Sequence, residues 1–172
     1  MADQNGLSPP FRAFVAELAL CVATYGDKGP ALLWPAGAEQ LPDLLTPAVR
    51  RGDAAGAGRG PTGSSGASPR PTDRLTAALG RLLDLRVRAH WHVLAPGADD
   101  GPWTWDGAEC ALTVVEGALR CHLRVPLRAA APVLELRLRA GGTLFVPRGH
   151  DYRLSDVHTP TVLLALVLGD PR

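Results

Sequence analysis

The sequence predicts a mainly β fold, a compact sandwich or jelly-roll barrel that carries α-helices at its N-terminal end. Three observations lead there. Apolar residues recur every three or four positions in two early segments, the period drops to two from residue 85 onward, and glycine or proline punctuates most of the gaps between the later apolar runs.

The first helix is announced by Ser8 with Pro9 and Pro10, a helix entry, and by the stripe Phe11, Phe14, Val15, Leu18 and Val22. YGDKGP interrupts this pattern, ALLW reads as a short buried strand or an extended packing arm, and a second helical piece is expected from Leu41 to Val49. Residues 51–72 hold six glycines and three prolines and no large aliphatic or aromatic side chain, so they cannot offset their ordering entropy by burial. The expected organisation is therefore an N-terminal helical region over 1–50, a flexible loop over 51–72 that also has the makings of a lid, and a helix plus β-barrel over 73–172. Asp73 is positioned to cap a helix with Leu75, Ala78, Leu79, Leu82 and Leu83 on its inward face.

In LRVRAHWHVL, alternation places Val87, Ala89, Trp91 and Val93 on one face of a strand and Arg86, Arg88, His90 and His92 on the other. Further strands are expected at Cys110–Glu116, Leu119–Val125, Val133–Leu138, Thr143–Val146, Tyr152–Leu154 and Thr161–Leu168. His122 alternates with Arg120 and Arg124 on an exposed face, where arginines suit carboxylate or phosphate. Cys110 and Cys121 are expected as buried small hydrophobes, neighbouring if a hairpin turns at Gly117, and Trp103 and Trp105 as core or interface groups.

Composition limits the function. Eighteen basic and 17 acidic residues leave a formal net charge of +1, which provides no field for nucleic acid or an anionic membrane. No apolar run approaches the ~20 residues needed to span a bilayer, and MADQNGLSPP lacks a basic segment followed by an apolar one. The expectation is a cytoplasmic protein with reduced cysteines and neither nucleic-acid nor membrane partners.

The turns carry a resemblance. Val114-Val115-Glu116-Gly117 and, 25 residues after that glycine, the stretch GTLFVPRG from Gly142 to Gly149 resemble the two halves of a cupin, and the run from His90 to Gly117 is similar to the JmjC-like branch. The resemblance implies a cupin-type double-stranded β-helix, that is, a jelly-roll barrel, and, in the branch's best-known members, iron- and 2-oxoglutarate-dependent hydroxylation. The inherited ligand positions have changed. The His-x-acid pair falls on Thr104 and Asp106, and the histidine expected three residues after Gly149 falls on Tyr152. In the broader cupin pattern the acidic ligand would be Glu109 or would slip onto Cys110. An ordinary iron oxygenase is thereby disfavoured, and no cofactor is expected.

His90 and His92 match positions that point inward in the JmjC-like relatives. The expected catalytic groups are His90, His92, Asp106, His150 and Tyr152, with Arg88, Thr104, Arg120 and Arg148 holding the substrate. Neutral imidazole accepts a proton near neutral pH, and Asp106 or Tyr152 would orient it or donate in return. The reading is a metal-independent isomerase, epimerase, cyclase or lyase acting on a small metabolite or peptide, and a homodimer. Two alternatives stand beside it: a non-catalytic cupin that binds a ligand or, as a dimer, a partner, and a metal-dependent oxygenase whose relocated metal site is rebuilt from His90, His92, Asp106 and His150.

Overall fold

The computed structural model describes residues 7–45, 71–98, 108–124 and 133–171. Helix α1 spans Pro9–Tyr25, β1 spans Ala31–Leu33, a 3₁₀ helix covers Ala38–Leu44, and α2 spans Pro71–Leu83. The remaining strands are β2 (Leu85–Leu94), β3 (Glu109–Glu116), β4 (Ala118–Arg124), β5 (Leu134–Arg139), β6 (Thr143–Val146), β7 (Asp151–Ser155) and β8 (Thr161–Pro171).

The local expectations hold at α1, whose Phe14, Val15, Leu18 and Val22 are buried, and at α2, which buries Leu75, Ala78 and Leu79 but leaves Leu82 exposed. The prolines after Ser8 occupy the first helical turn, where a missing N–H costs nothing. The expected helix from Leu41 becomes the earlier 3₁₀ helix with Pro42 inside it, and 46–50 lie outside the described residues. Of the expected loop, 51–70 lie outside them too, while Pro71 and Thr72 open α2.

The eight strands form two antiparallel sheets, one in the order β1-β6-β3-β8-β2 and one in the order β5-β4-β7. This corrects the expected double-stranded β-helix. Neither sheet closes into a jelly-roll barrel: each ends in two edge strands, and no hydrogen-bonded ladder joins the sheets among the described residues. The class is mixed α/β rather than mainly β. Strand pairing gives the reason: β1 and β2 at the ends of the large sheet, and β5 and β7 at the ends of the small one, each pair on one side only. β3 is occupied by β6 and β8, β4 by β5 and β7, and the turn at Gly117 passes the chain from one sheet to the other without making a hairpin.

Gly117 is required at that turn. Its φ is 86°, and a Cβ there would lie 2.5 Å from Thr161 Oγ1 and 2.8 Å from the Pro160 carbonyl oxygen.

The layers are helices, five-stranded sheet and three-stranded sheet. One core lies between the helices and the large sheet, built from Phe14, Leu18, Leu41 and Leu79 against Ala111, Phe145, Leu164 and Leu166. A second lies between the sheets, with Leu112, Val114, Leu144 and Leu163 against Leu119, Cys121, Leu138 and Leu154. Burial on both faces explains why β3 and β8 read as nearly continuous apolar runs. The three-stranded sheet buries one face only. In β4, Leu119, Cys121 and Leu123 are buried while Arg120 and His122 are turned outward, as the alternation predicts.

Candidate functional site

Strand β2 is an edge strand, hydrogen-bonded to β8 alone. Its odd-numbered residues Val87, Ala89, Trp91 and Val93 pack towards the helices, which puts Arg88, His90 and His92 on the face that looks towards the second sheet, where Leu94 joins the inter-sheet core. Burial, and then the Arg88 charge, holds the His90 imidazole below its ordinary value. His92 is pushed down to about 4 by burial and by His90. Both rings are therefore neutral at physiological pH. An imidazole at about 4 is also a feeble proton acceptor there, because a general base works best with its pKa near the working pH.

Tyr152 stands elsewhere. It is 2 % exposed in the inter-sheet core, where its hydroxyl donates to the Cys110 sulfur. Cys110 and Cys121 belong to different sheets yet face the same core, and burial pushes both thiols up to about 12. They are thiols rather than thiolates, as expected of buried small hydrophobes.

A cleft of 790 Å³ opens on the opposite side of the large sheet, where the turn after α1 meets the ends of β3, β6 and β8. Arg148 and His150 line it, together with Asp27, Lys28 and Glu109. The backbone places these groups. Since Cys110 faces the second sheet, Glu109 must face the helices, and Gly26 comes so close that a Cβ there would lie 3.9 Å from Glu109 Oε1. The PRG turn after β6 carries Arg148 to the same place, and Gly149, at φ 79°, turns His150 back so that its Nδ1 is buried with no hydrogen bond. Burial raises the Glu109 carboxyl above its ordinary range. The Arg148 charge opposes that rise and Asp27 adds to it.

The expected site residues thus occupy several places. Arg88, His90 and His92 share a face of β2, Arg148 and His150 share the cleft, Tyr152 is in the core, and Arg120 lies on the outer face of the small sheet. Thr104 and Asp106 lie outside the described residues, as do Trp103 and Trp105. Among the described residues no three His, Cys, Asp or Glu side chains converge as a metal-binding set, so His90, His92 and His150 do not by themselves form one.

Asp27 and Lys28 are absent from the expected site, because YGDKGP reads in the sequence only as the end of a helix. One signal was available: Lys28 is the only lysine in the chain. Glu109 enters the sequence expectations only as the acidic ligand position of the broader cupin pattern.

No family model matches this chain, and no curated protein matches it. Among solved structures it is similar to YcfD, a ribosomal oxygenase from Escherichia coli, with a TM-score of 0.54 and 16% identity over 83% of this chain and 48% of that one. Vicilin from hazelnut, Corylus avellana, gives a TM-score of 0.44 and 22% identity over 51% of this chain and 25% of that one. A dTDP-4-dehydrorhamnose 3,5-epimerase from Bacillus anthracis gives 0.41 and 19% over 49% and 54%. The chain spans between a quarter and about half of these proteins. No helix among the described residues is long and apolar enough to cross a membrane. The fold is cupin-like, with two open sheets in place of a closed barrel, and at these identities the likeness speaks to the fold alone.

Proposed function

We propose that this domain is an acid–base enzyme acting on a small metabolite or peptide, and that its chemistry takes place in the cleft between the turn after α1 and the ends of β3 and β6. The observation that carries this reading is the meeting of Glu109 and His150 in one cleft with two cations, Lys28 and Arg148. A carboxyl raised by burial holds its proton at higher pH than an exposed one, and a neutral imidazole accepts one. Such a pair suits reactions that remove a proton at one atom and return it at another, the isomerase, epimerase, cyclase or lyase type. Lys28 and Arg148 would hold the acidic group of the substrate. No step calls for a metal or an organic cofactor. His90 and His92 then keep a supporting place on the sheet's other face.

Deuterium exchange tests this. The protein is incubated in D₂O with a panel of small oxo acids, hydroxy acids, amino acids and dipeptides, and proton NMR follows the carbon-bound hydrogens next to the carbonyl. We expect exchange with at least one compound, slowed about 100-fold or more in Glu109→Gln and in His150→Gln, with circular dichroism confirming that both variants fold. Silence across the panel, or exchange undiminished in both variants, overturns the proposal.

A second reading, non-catalytic binding of a ligand or of a partner copy, is favoured by one observation: apolar side chains from both sheets fill the space between them. Under this reading members of the panel raise the melting temperature and exchange no hydrogen, and light scattering reports a dimer.

A further inference from the structure

On the outer face of the small sheet, Ser155 Oγ and His122 Nε2 lie 2.8 Å apart. The strands put them there. His122 is opposite Arg153 across the β4–β7 ladder and Ser155 is opposite Arg120, so the hydrogen bond runs diagonally, and both side chains point away from the core that holds Leu123 and Leu154. Arg120 is fixed beside them. Its Nε donates to Asp156 Oδ2 at 2.8 Å and its Nη1 pairs with Glu135. Those two bonds use two of the five N–H donors of a guanidinium, and three remain.

Asp156 adopts a left-handed backbone with φ 52°, a conformation that aspartate tolerates better than most residues. The chain therefore turns immediately after Ser155, and Ser155 and Asp156 line a cleft of 380 Å³ together with Gly97, Ala98 and His158. A hydroxyl in hydrogen-bond reach of an imidazole, an immobilised cation beside it and an adjoining cleft are the parts of an acyl-transfer site.

We propose that Ser155 and His122 form a nucleophile–base pair that hydrolyses small carboxylic esters at this cleft, separate from the Glu109 cleft. The Ser155 hydroxyl donates to an unprotonated His122 Nε2. As Oγ bonds to the ester carbonyl carbon, its proton passes to Nε2 and the carbonyl oxygen becomes an oxyanion facing Arg120. The bond to the leaving alcohol then breaks, and the proton moves from Nε2 to the departing oxygen. Water attacks the acyl-serine, gives its proton to Nε2 and releases the carboxylic acid, and that proton returns to Oγ. Water is the only co-reactant. Arg120 needs no movement to receive the oxyanion, since two carboxylates already hold it.

The test uses p-nitrophenyl acetate for turnover and a fluorophosphonate for covalent capture, with mass spectrometry to locate the adduct. We expect the fluorophosphonate on Ser155, no adduct there in Ser155→Ala, and labelling and turnover both slowed about 100-fold or more in His122→Gln. Arg120→Lys is expected to lower turnover by about 10- to 100-fold, as loss of an oxyanion donor does. Ser155→Cys guards against misfolding in the other variants: its alkylation by iodoacetamide should be faster with His122 present than in the double variant with His122→Gln. Absence of an adduct on Ser155, labelling at an equal rate in His122→Gln, or equal alkylation of the two cysteine variants overturns the proposal. Leu20→Gln, an exposed change on α1, should leave all of these rates unchanged, which separates loss at this cleft from a general effect of substitution.

Discussion

The two faces of the five-stranded sheet do opposite things with their polar groups. Towards the helices, the apolar core stops short at one end and leaves a cleft in which Asp27, Lys28, Glu109, Arg148 and His150 meet. Towards the second sheet, apolar side chains fill the space, and the histidines of β2 remain at its margin in their neutral form. In many folds with facing sheets the space between them is where one looks for a site. Here the sheet's helix side offers the better one, because charged groups from three separate chain segments, Asp27 with Lys28, Glu109 and Arg148, meet in one cleft there.

The strongest way to break this contrast is to truncate one leucine on each face. Leu112 and Leu164 are both fully buried, one in each core. Each changed to alanine is expected to cost about 2–5 kcal/mol in chemical denaturation. A loss below about 1 kcal/mol for Leu112→Ala would mean that the inter-sheet space is not close-packed.

Acid titration sharpens the contrast, because the two faces respond with opposite sign. The folded state holds His92 at about 4 against 6.5 for the free group, so between those values the unfolded chain binds more protons and stability falls as pH falls. The full window corresponds to roughly 3 kcal/mol at most, it is complete below about 4, and His90 acts in the same direction. Glu109 is raised rather than lowered, so its contribution is present at low pH and is lost as pH rises through its folded value. Denaturation followed from pH 7 to 4 should show a shallower decline in His92→Gln than in the parent chain. An unchanged slope would show that the His92 ring is solvated in solution.

A smaller effect is expected from the buried hydrogen bond between Thr113 and Thr143, 2.8 Å long, on register-paired residues of β3 and β6. Thr113→Val leaves the Thr143 hydroxyl without this partner and should cost about 1–3 kcal/mol, whereas the double change to valine should recover most of that loss. Equal losses in the single and double variants would rule out this account. Least affected of all should be Leu20→Gln on α1. Leu20 is 68% exposed, and a change within about 0.5 kcal/mol is expected from thermal melts.

How far the sequence could be read follows from the range of the interactions. The alternation in LRVRAHWHVL assigned both faces of β2, since the period of a strand is a local property. The strands themselves were legible for the same reason, within a residue or two at most ends. Sheet membership was not. Gly117 marks a tight turn equally well whether its flanking strands pair with each other or, as here, with partners in different sheets. The expected barrel rests on the run of short, turn-punctuated strands and on the cupin resemblance, neither of which fixes which strands pair, and the same ambiguity leaves Cys110 and Cys121 open to being read as members of one hairpin. Arg148 and His150 could be singled out from the PRG turn they belong to. Asp27 and Lys28 could not, because what brings them to Glu109 is the packing of α1 on the sheet, across some eighty residues of chain.

The position of β8 between β3 and β2 bears on how the protein is made. Both neighbours precede it in the chain, and β2 pairs with it from Leu85↔Pro171 to Leu94↔Thr161. A ribosome delivers residues in order, so β2 and one edge of β3 wait without their hydrogen-bonding partner until residues 161–171 have emerged. Until then the growing chain exposes two unpaired strand edges rich in valine, leucine and tryptophan, the kind of surface that chaperones shield and that associates wrongly when they do not. Assembly of the large sheet therefore waits for the last of its strands, and the helices that cover it have only an incomplete floor to pack on before then.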